Sequence, residues 1–547
     1  MLARQARLTL QNCILKGYFP AELVPGFTTK MLGTQINSIA SALSGISIIV
    51  NGHKINCSKC CIHTIPKIQH QRRTLSIPNP FHQIKVFETI IHNWITIKNE
   101  IKKSKYSLTK PMVNKDLQRA ISRQHSFSEI PQIIPILSSN SRFVLKTDIS
   151  RYYPTIYTHS IPWACHGKSF AKRNRGSAHF GNVLDTNVRN TQDQQTIGIP
   201  IGPDSSYVIS ELIGSVMDQE IYQELGVTGL RYIDDYYFFF NSLSEAEEAL
   251  TKIHKIVKKY ELEINPEKTM IYPLPEPLEF NWISEIRNYE FHSSIKRQRT
   301  DLVTFFSKAF EYSKKHPNEY VLKYSLARIK NVLVHKDNWE LFESLILNSM
   351  IAEPSVIPTV IEILLAYRDK GYNLNYKKIA KTIDNNIGYH SKFSHGYKVS
   401  WNLWLAKSFN IKISRAAAKE LSTIEDSFSR IVALDMRSNG LITTGLNISE
   451  WNNYLSHDHL YQEHWIFAYE AIKKGFLTSR SNYISSDNFF SLLASRNIEF
   501  YDSTLQLEPA SPSEMNYRPV SSSNKNRGAR TQRKTRIVSH SGGLGEY

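Results

Sequence analysis

Apolar and polar positions along this chain follow two different periods, and the change from one to the other divides it. Up to about residue 300, short apolar runs bounded by turn-forming residues read as strands: 143–148 (FVLKTD), 230–233 (LRYI) and 236–240 (YYFFF). Between the first and the second lies 207–225 (YVISELIGSVMDQEIYQEL), where apolar residues recur at helical spacing. The Gly and Pro residues of 198–206 (GIPIGPDSS) force a turn before it, and Ser205 or Ser206 is placed to cap the helix. Beyond about residue 300 the strand pattern fades, and helical periodicity takes over in 338–350, 357–370, 401–409 and 465–477. The expectation is a mixed α+β unit over 1–300 and an all-helical unit over 301–508, a repeat-like array of paired helices without a fixed sequence period. A tail over 509–547 is too poor in apolar residues to fold alone. It is basic, and reads either as an electrostatic nucleic-acid contact or as a solvated end without a specific role.

One place in this pattern is at odds with ordinary burial. Asp234 and Asp235 stand side by side between two apolar runs, at the turn those runs predict. Asp is a common turn residue, so an ordinary hairpin is the bland reading. The alternative is a bound cation, since two like charges repel and Mg²⁺ is normally shared between one or two carboxylates and substrate phosphates. Asp148, at the end of the 143–148 run, weighs for the cation. A strand-end carboxylate plus a paired hairpin carboxylate is what two-metal phosphoryl transfer needs, one ion activating the attacking oxygen and one holding the leaving group.

Composition agrees with a phosphate-rich partner. The 547 residues carry 67 Lys plus Arg against 49 Asp plus Glu, a net charge of +18, which favours nucleic acid through counterion release. Hydrophobic residues at 41% are enough for several cores. No run of about 18 apolar residues occurs, and MLARQARLTL lacks a signal-peptide core and cleavage site, so a soluble cytoplasmic protein without a membrane partner is expected. Five cysteines argue against a disulfide framework. Cys57 and Cys60, flanked by Cys61, His53 and His63, offer a single CxxC for zinc, but no second CxxC exists and a local insertion over about 46–70 with free thiols is the preferred reading. Trp401 and Trp404 could stack on bases, but their spacing on an amphipathic helix favours the core.

With these residues in view, a family resemblance becomes specific. Asp148 with its trailing aromatics is similar to motif A of the reverse transcriptases, 198–206 occupies the place of motif B, Tyr232-Ile233-Asp234-Asp235 resembles motif C, and 262–269 (LEINPEKT) resembles motif D, in the family's order. Finer strings point to a branch: KGYFP at 16–20, SIPNPF at 76–81, DISRYYPTIYTHSIPWACHGK at 148–168 and RYIDDYYFF at 231–239 resemble the bacterial antiphage reverse transcriptases. These are the abortive-infection enzymes of the AbiK and Abi-P2 kind and the defence-associated reverse transcriptases, with the class-three systems, in which two reverse transcriptases operate together, as the nearest guess. The likeness covers about residues 15–300 and extends less specifically into the helical region.

The resemblance implies a right-hand polymerase of α+β type, with fingers and palm followed by helices in place of a conventional thumb. It implies a metal set of Asp148, Ile149, Asp234 and Asp235 with Mg²⁺ or Mn²⁺, and Lys268 as proton donor to pyrophosphate. Substrate contacts would come from Arg72 or Arg73, Ser150, Arg151, Tyr152, Tyr153, Pro200 and Gly202, with Tyr153 under the sugar selecting deoxynucleotides. Where many relatives carry Pro-Gln-Gly, this chain has Pro200-Ile201-Gly202, so the Gln contact to the template strand does not carry over. The implied partners are deoxynucleoside triphosphates, a DNA product, an RNA template or noncoding RNA, and a second reverse transcriptase or another copy of the chain, in the bacterial cytoplasm. Some members attach the first nucleotide to a protein hydroxyl, and some need no template. A retron- or intron-type enzyme using structured RNA, and a catalytically inactive nucleic-acid scaffold, stay open as alternatives.

Overall fold

Six strands frame the part of the molecule that matters for function, and their order follows from where apolar residues must be hidden. The computed structural model describes residues 7–513 apart from 44, 51, 68–70 and 114–117. We number the strands β1 (Cys61–Pro66), β2 (Arg72–Ile77), β3 (Phe143–Asp148), β4 (Gly229–Tyr232), β5 (Asp235–Phe240) and β6 (Met270–Pro273). The last four form one antiparallel sheet in the order β6-β3-β5-β4. Register pairs Asp148 with Asp235, and Asp235 with Tyr232, so the acidic ends of β3 and β5 meet at one edge of the sheet. The hairpin turn is tighter than the sequence suggests: only Ile233 and Asp234 lie in it, and Asp235 already begins β5.

Two helices cover this sheet. Helix α1 (Asp204–Leu225) is buried along most of its length, polar residues included, and Gly226, at φ +63°, ends it in the left-handed conformation that glycine adopts without cost. Ser205 and Ser206 do not cap it. The N-cap is Pro203, and the Ser205 hydroxyl instead accepts a hydrogen bond from Gln83 Nε2 at 3.0 Å. Helix α2 (Leu243–Lys259) starts at a Ser242/Glu245 capping box and buries Ala246, Ala249, Ile253, Ile256 and Val257.

The 46–70 stretch is not a loose insertion. Residues 48–50 pair with 53–55, and 61–66 form β1, which pairs with β2 as a hairpin in the fingers position, while Ser76 N–H ties β2 to Ile201 O at 2.9 Å. Cys60 and Cys61 are buried and apart in their contacts: Cys60 Sγ lies on Thr191 O at 3.1 Å, and His63 Nδ1 meets Asp426 Oδ2 at 2.8 Å. Cys57 Sγ lies toward Asp193 at 3.8 Å, and among the described residues no His, Cys, Asp or Glu group gathers here for zinc.

From Asn281 onward the described chain is helical, and consecutive helices pack as neighbours, Trp339–Ala352 on Ile357–Asp369 and Tyr376–Ser391 on Gly396–Ser408. The later helices rest on the fingers and the N-terminal segment. Trp401 Nε1–H donates to Glu22 O (2.9 Å), Trp465 Nε1–H to Ile77 O (3.1 Å) and Asn79 Nδ2–H to Leu460 O (2.8 Å), while Phe27 and Tyr501 share a β-bridge. Trp401 and Trp404 are buried and not available for stacking on bases. The expected disorder does not begin at 509, because Ala510 N–H donates to Glu362 O (3.0 Å) and Ser513 N–H to Asn331 O (3.1 Å). The rest of the basic tail lies outside the described residues. Among the described residues no helix is long and apolar enough to cross a membrane.

Candidate active site

Asp148 ends β3 at 3% exposure, and its backbone carbonyl accepts Asn265 N–H at 2.8 Å, which fixes the 262–269 segment beside it. Ile149 N–H donates to Asp234 O at 3.2 Å, while its backbone bridges Ile264. The turn that presents Asp234 is strained. Ile233 has φ +58°, a left-handed conformation unfavourable for a β-branched residue and worth about 1–3 kcal/mol. It is held from both sides: its N–H donates to Thr109 Oγ1 (3.2 Å) and its carbonyl accepts Arg231 Nη1–H (2.8 Å). Arg231 is 0% exposed and bridges Glu211 (2.9 Å) and Asp218 (2.9 Å) of α1. Hydroxyls of Ser107 and Thr109 donate to Glu211, and that of Ser104 to Asp218, so this buried ionic group is satisfied on most sides.

Crowding raises the proton affinity of the hairpin pair. Asp234 is pushed up to about 7, first by burial and then by Asp235 and Asp148; Asp235 is raised by burial and by Asp148. Both keep part of their surface accessible while being densely surrounded, the condition of groups at the floor of a concavity. Cations face them. Lys268 Nζ donates to Asp148 Oδ2, and Lys67, at the end of β1, senses Arg73, Lys268, Asp148 and Asp234. Burial lowers the Lys67 ammonium, followed by the neighbouring Arg73 and Lys268.

Among the described residues no three acidic, His or Cys side chains converge at metal-ligand spacing, these aspartates included. Their chemistry nonetheless fits a hard divalent ion: three carboxylate groups whose mutual repulsion a single ammonium offsets only in part. Lys268 takes the Asp148 oxygen that such an ion would need.

The remaining expected residues separate into those near this cluster and those turned away. Successive strand residues point to opposite faces, and β2 uses this. Arg73 lies beside Lys67 and Tyr320, whereas Arg72 turns to the other face, donating from Nε and Nη2 to Thr64 Oγ1 and from Nη2 to Thr64 O (2.7 Å). Ser150 N–H is engaged by Glu263 O (2.8 Å), and exposed Arg151, at φ +47°, opens the short helix Tyr152–Thr155. Tyr152 is a core residue, its hydroxyl donating to Ser210 O at 2.7 Å. Tyr153 is buried, accepts a hydrogen bond from Ser210 Oγ (3.0 Å), and lies with Tyr207 and Tyr232 around the Arg123 guanidinium. Pro200 is buried, and Gly202, at φ +137°, offers its carbonyl to Arg119 Nη2 (3.0 Å), which also grips Asp204.

Sequence reasoning missed Lys67, Arg119, Arg123 and Arg231. A signal for Arg231 was present: a charge inside an apolar strand, with Glu211 and Asp218 seven apart among apolar residues of one helix, asks for a buried pair.

Residues 65–291 match the family model described as reverse transcriptase (RNA-dependent DNA polymerase). That segment holds the site residues from Lys67 to Lys268. No curated protein matches the chain. Among solved structures it is similar to apo telomerase from Candida tropicalis truncated from its C-terminal domain, at 13% identity and a TM-score of 0.31, over 46% of this chain and 56% of that one. Apo telomerase from the same organism aligns at 13% and 0.31 over 76% of this chain and 72% of that one. Telomerase from Candida albicans in complex with a fragment of telomeric RNA aligns at 12% and 0.29 over 73% and 69%. The chain thus spans little more than half of the truncated relative.

Proposed function

We propose that this protein joins deoxynucleoside triphosphates into DNA by phosphoryl transfer at Asp148, Asp234 and Asp235, in bacterial antiphage defence. The observation that carries the chemistry is the meeting of three carboxylates at one sheet edge, faced by Lys67, Arg73 and Lys268. Bound Mg²⁺ or Mn²⁺ would lower the charge on the reacting phosphate and on the attacking oxygen. The protein's own groups do the rest. Lys67 and Arg73 orient the triphosphate, Lys268 releases Asp148 and supplies a proton to the departing pyrophosphate, and Tyr153 stands where a ribose hydroxyl would clash. The defensive role rests on the resemblance of 16–20, 76–81, 148–168 and 231–239 to antiphage enzymes. The same resemblance supports a noncoding RNA or no template at all, a protein hydroxyl as primer, a second reverse transcriptase or another copy as partner, and a cytoplasmic setting.

The test is incorporation of labelled deoxynucleotides by the purified protein in Mg²⁺ without added template or primer, resolved before and after protease and ribonuclease. Product that shifts with protease establishes protein priming, and loss of synthesis after ribonuclease establishes a bound RNA template. Extension only with added template and primer moves the protein to a conventional reverse transcriptase, and no extension under any condition overturns the catalytic reading.

A further inference from the structure

The outward face of the fingers hairpin meets the turn between Tyr376–Ser391 and Gly396–Ser408, and what collects there has no part in the chemistry above. Thr64, which holds Arg72, also donates to Ser394 O at 3.4 Å, so the hairpin and the turn are joined at this point. Around that joint stand four rings in sequence. Tyr389 packs edge-on to His390 (5.0 Å between centroids) and tilted to Phe393 (5.4 Å); His395 lies near Phe393 (5.6 Å, 31°) and near His390 (5.2 Å, 37°). His390 Nδ1 and His395 Nδ1 are 3.1 Å apart, so one donates and the other accepts, and burial lowers the proton affinity of both rings, to about 3 and about 4. Tyr389 and Phe393 are 61% and 56% exposed, an unusual state for two adjacent large aromatics.

Cations complete the patch. Arg72 lies within electrostatic reach of His390, His395 and Lys398, and burial followed by Arg72 holds the Lys398 ammonium down to about 8. The carboxylate nearest to Arg72, Asp426, is already bound to His63 Nδ1 and to Ser429. Among the described residues no carboxylate pairs with Lys398 or with either histidine. Exposed rings beside uncompensated cations are the two halves of a single-strand site, stacking for bases and charge for the backbone. Duplexes hide their base faces and do not need exposed rings.

We infer that Tyr389, Phe393, Arg72 and Lys398 form a binding site for single-stranded nucleic acid on the outer face of the fingers, across β2 from the nucleotide-facing Arg73. The inference deepens the polymerase reading, since a strand held there lies across the hairpin that covers the aspartates. Its test is separate from synthesis. Full-length protein in EDTA is titrated against fluorescent oligothymidylate and oligouridylate, following anisotropy, with incorporation assayed in parallel. Tyr389→Ala with Phe393→Ala weakens binding at least about tenfold without changing the melting temperature, while Tyr376→Ala, an exposed ring at the start of the same helix, binds as wild type. Lys398→Gln lowers the slope of log K against log salt by about 1. The oligothymidylate and oligouridylate arms decide whether the site prefers DNA or RNA. Unchanged affinity in the double variant, or equal loss for a blunt duplex, overturns the inference. Normal binding losses in a protein that incorporates nothing would leave this site standing and remove the polymerase reading instead.

Discussion

Arg231 Nη1 donates to the carbonyl of Ile233, two residues on, at 2.8 Å, and in doing so a fully buried guanidinium holds the strained residue that aims Asp234. A left-handed isoleucine persists only when its surroundings over-determine it. Here the surroundings are a buried ionic group shared between β4 and α1, so the shape of the Ile233–Asp234 turn depends on the core.

Removing the partner should separate those roles. Arg231→Met leaves Glu211 and Asp218 buried without a counter-charge, and a loss of about 3–5 kcal/mol in urea unfolding is expected. Thr109→Val removes only the acceptor for Ile233 N–H, together with one donor to Glu211. A smaller loss, about 1–3 kcal/mol, should accompany a fall in kcat with KM for nucleotide little changed. Equal stability of Arg231→Met and wild type would contradict the assignment.

Lys268 competes with any cation for Asp148. Lys268→Ala should therefore lower the Mn²⁺ concentration needed for half-maximal incorporation, while kcat falls roughly 10²-fold through loss of the proton donor. A metal titration at saturating nucleotide reads both. If the half-saturation point rises, the ammonium supports metal binding and the competition idea fails.

The repulsion among the aspartates has a pH signature. Because Asp234 binds its proton more tightly in the folded state, stability falls as pH rises from about 4, its unfolded range, through about 7. Asp234→Asn removes that loss. In EDTA its melting temperature should match wild type near pH 4 and exceed it by several degrees at pH 8, while incorporation is abolished. A variant less stable than wild type at pH 8 would sink this account.

Glu470 carries a second, independent titration far from the aspartates. It is fully buried, accepts Phe500 N–H at 2.6 Å through Oε1, leaves Oε2 unsatisfied, and is pushed up to about 8 by burial. Stability should drop by a few kcal/mol between about pH 4.5 and 8, and Glu470→Gln should flatten that part of the profile. Chemical denaturation at fixed pH steps is the measurement.

The two arginines of β2 should differ in kind. Arg73→Ala is expected to raise KM for deoxynucleotide about tenfold with little effect on oligonucleotide affinity in EDTA, because its side of the strand faces Lys67 and the aspartates. Equal effects on both quantities would mean that the strand does not divide the two ligands.

Much of the strand-bearing half was written locally. Three short apolar runs, one ending in Asp148 and two joined at an Asp pair, specify strands and a turn through composition and turn chemistry alone, and β3 spans the residues the pattern marks. The helices beyond residue 300 were legible for the same reason. What the pattern cannot contain is the partner across space. Arg72 and Arg73 are equivalent in sequence and differ only through the pairing of β2 with β1, which sends one toward Lys67 and the other toward Thr64 and the helical region. His63 and the cysteines around it offer zinc a spacing that the sequence leaves as the lesser reading, and the fold buries Cys60 and Cys61 and gives His63 to Asp426, 363 residues away. Arg231 finds its two carboxylates, and Lys268 its aspartate, by packing of elements far apart in the chain. Local periodicity determines which face of an element is apolar, whereas register and packing decide what each charged side chain meets.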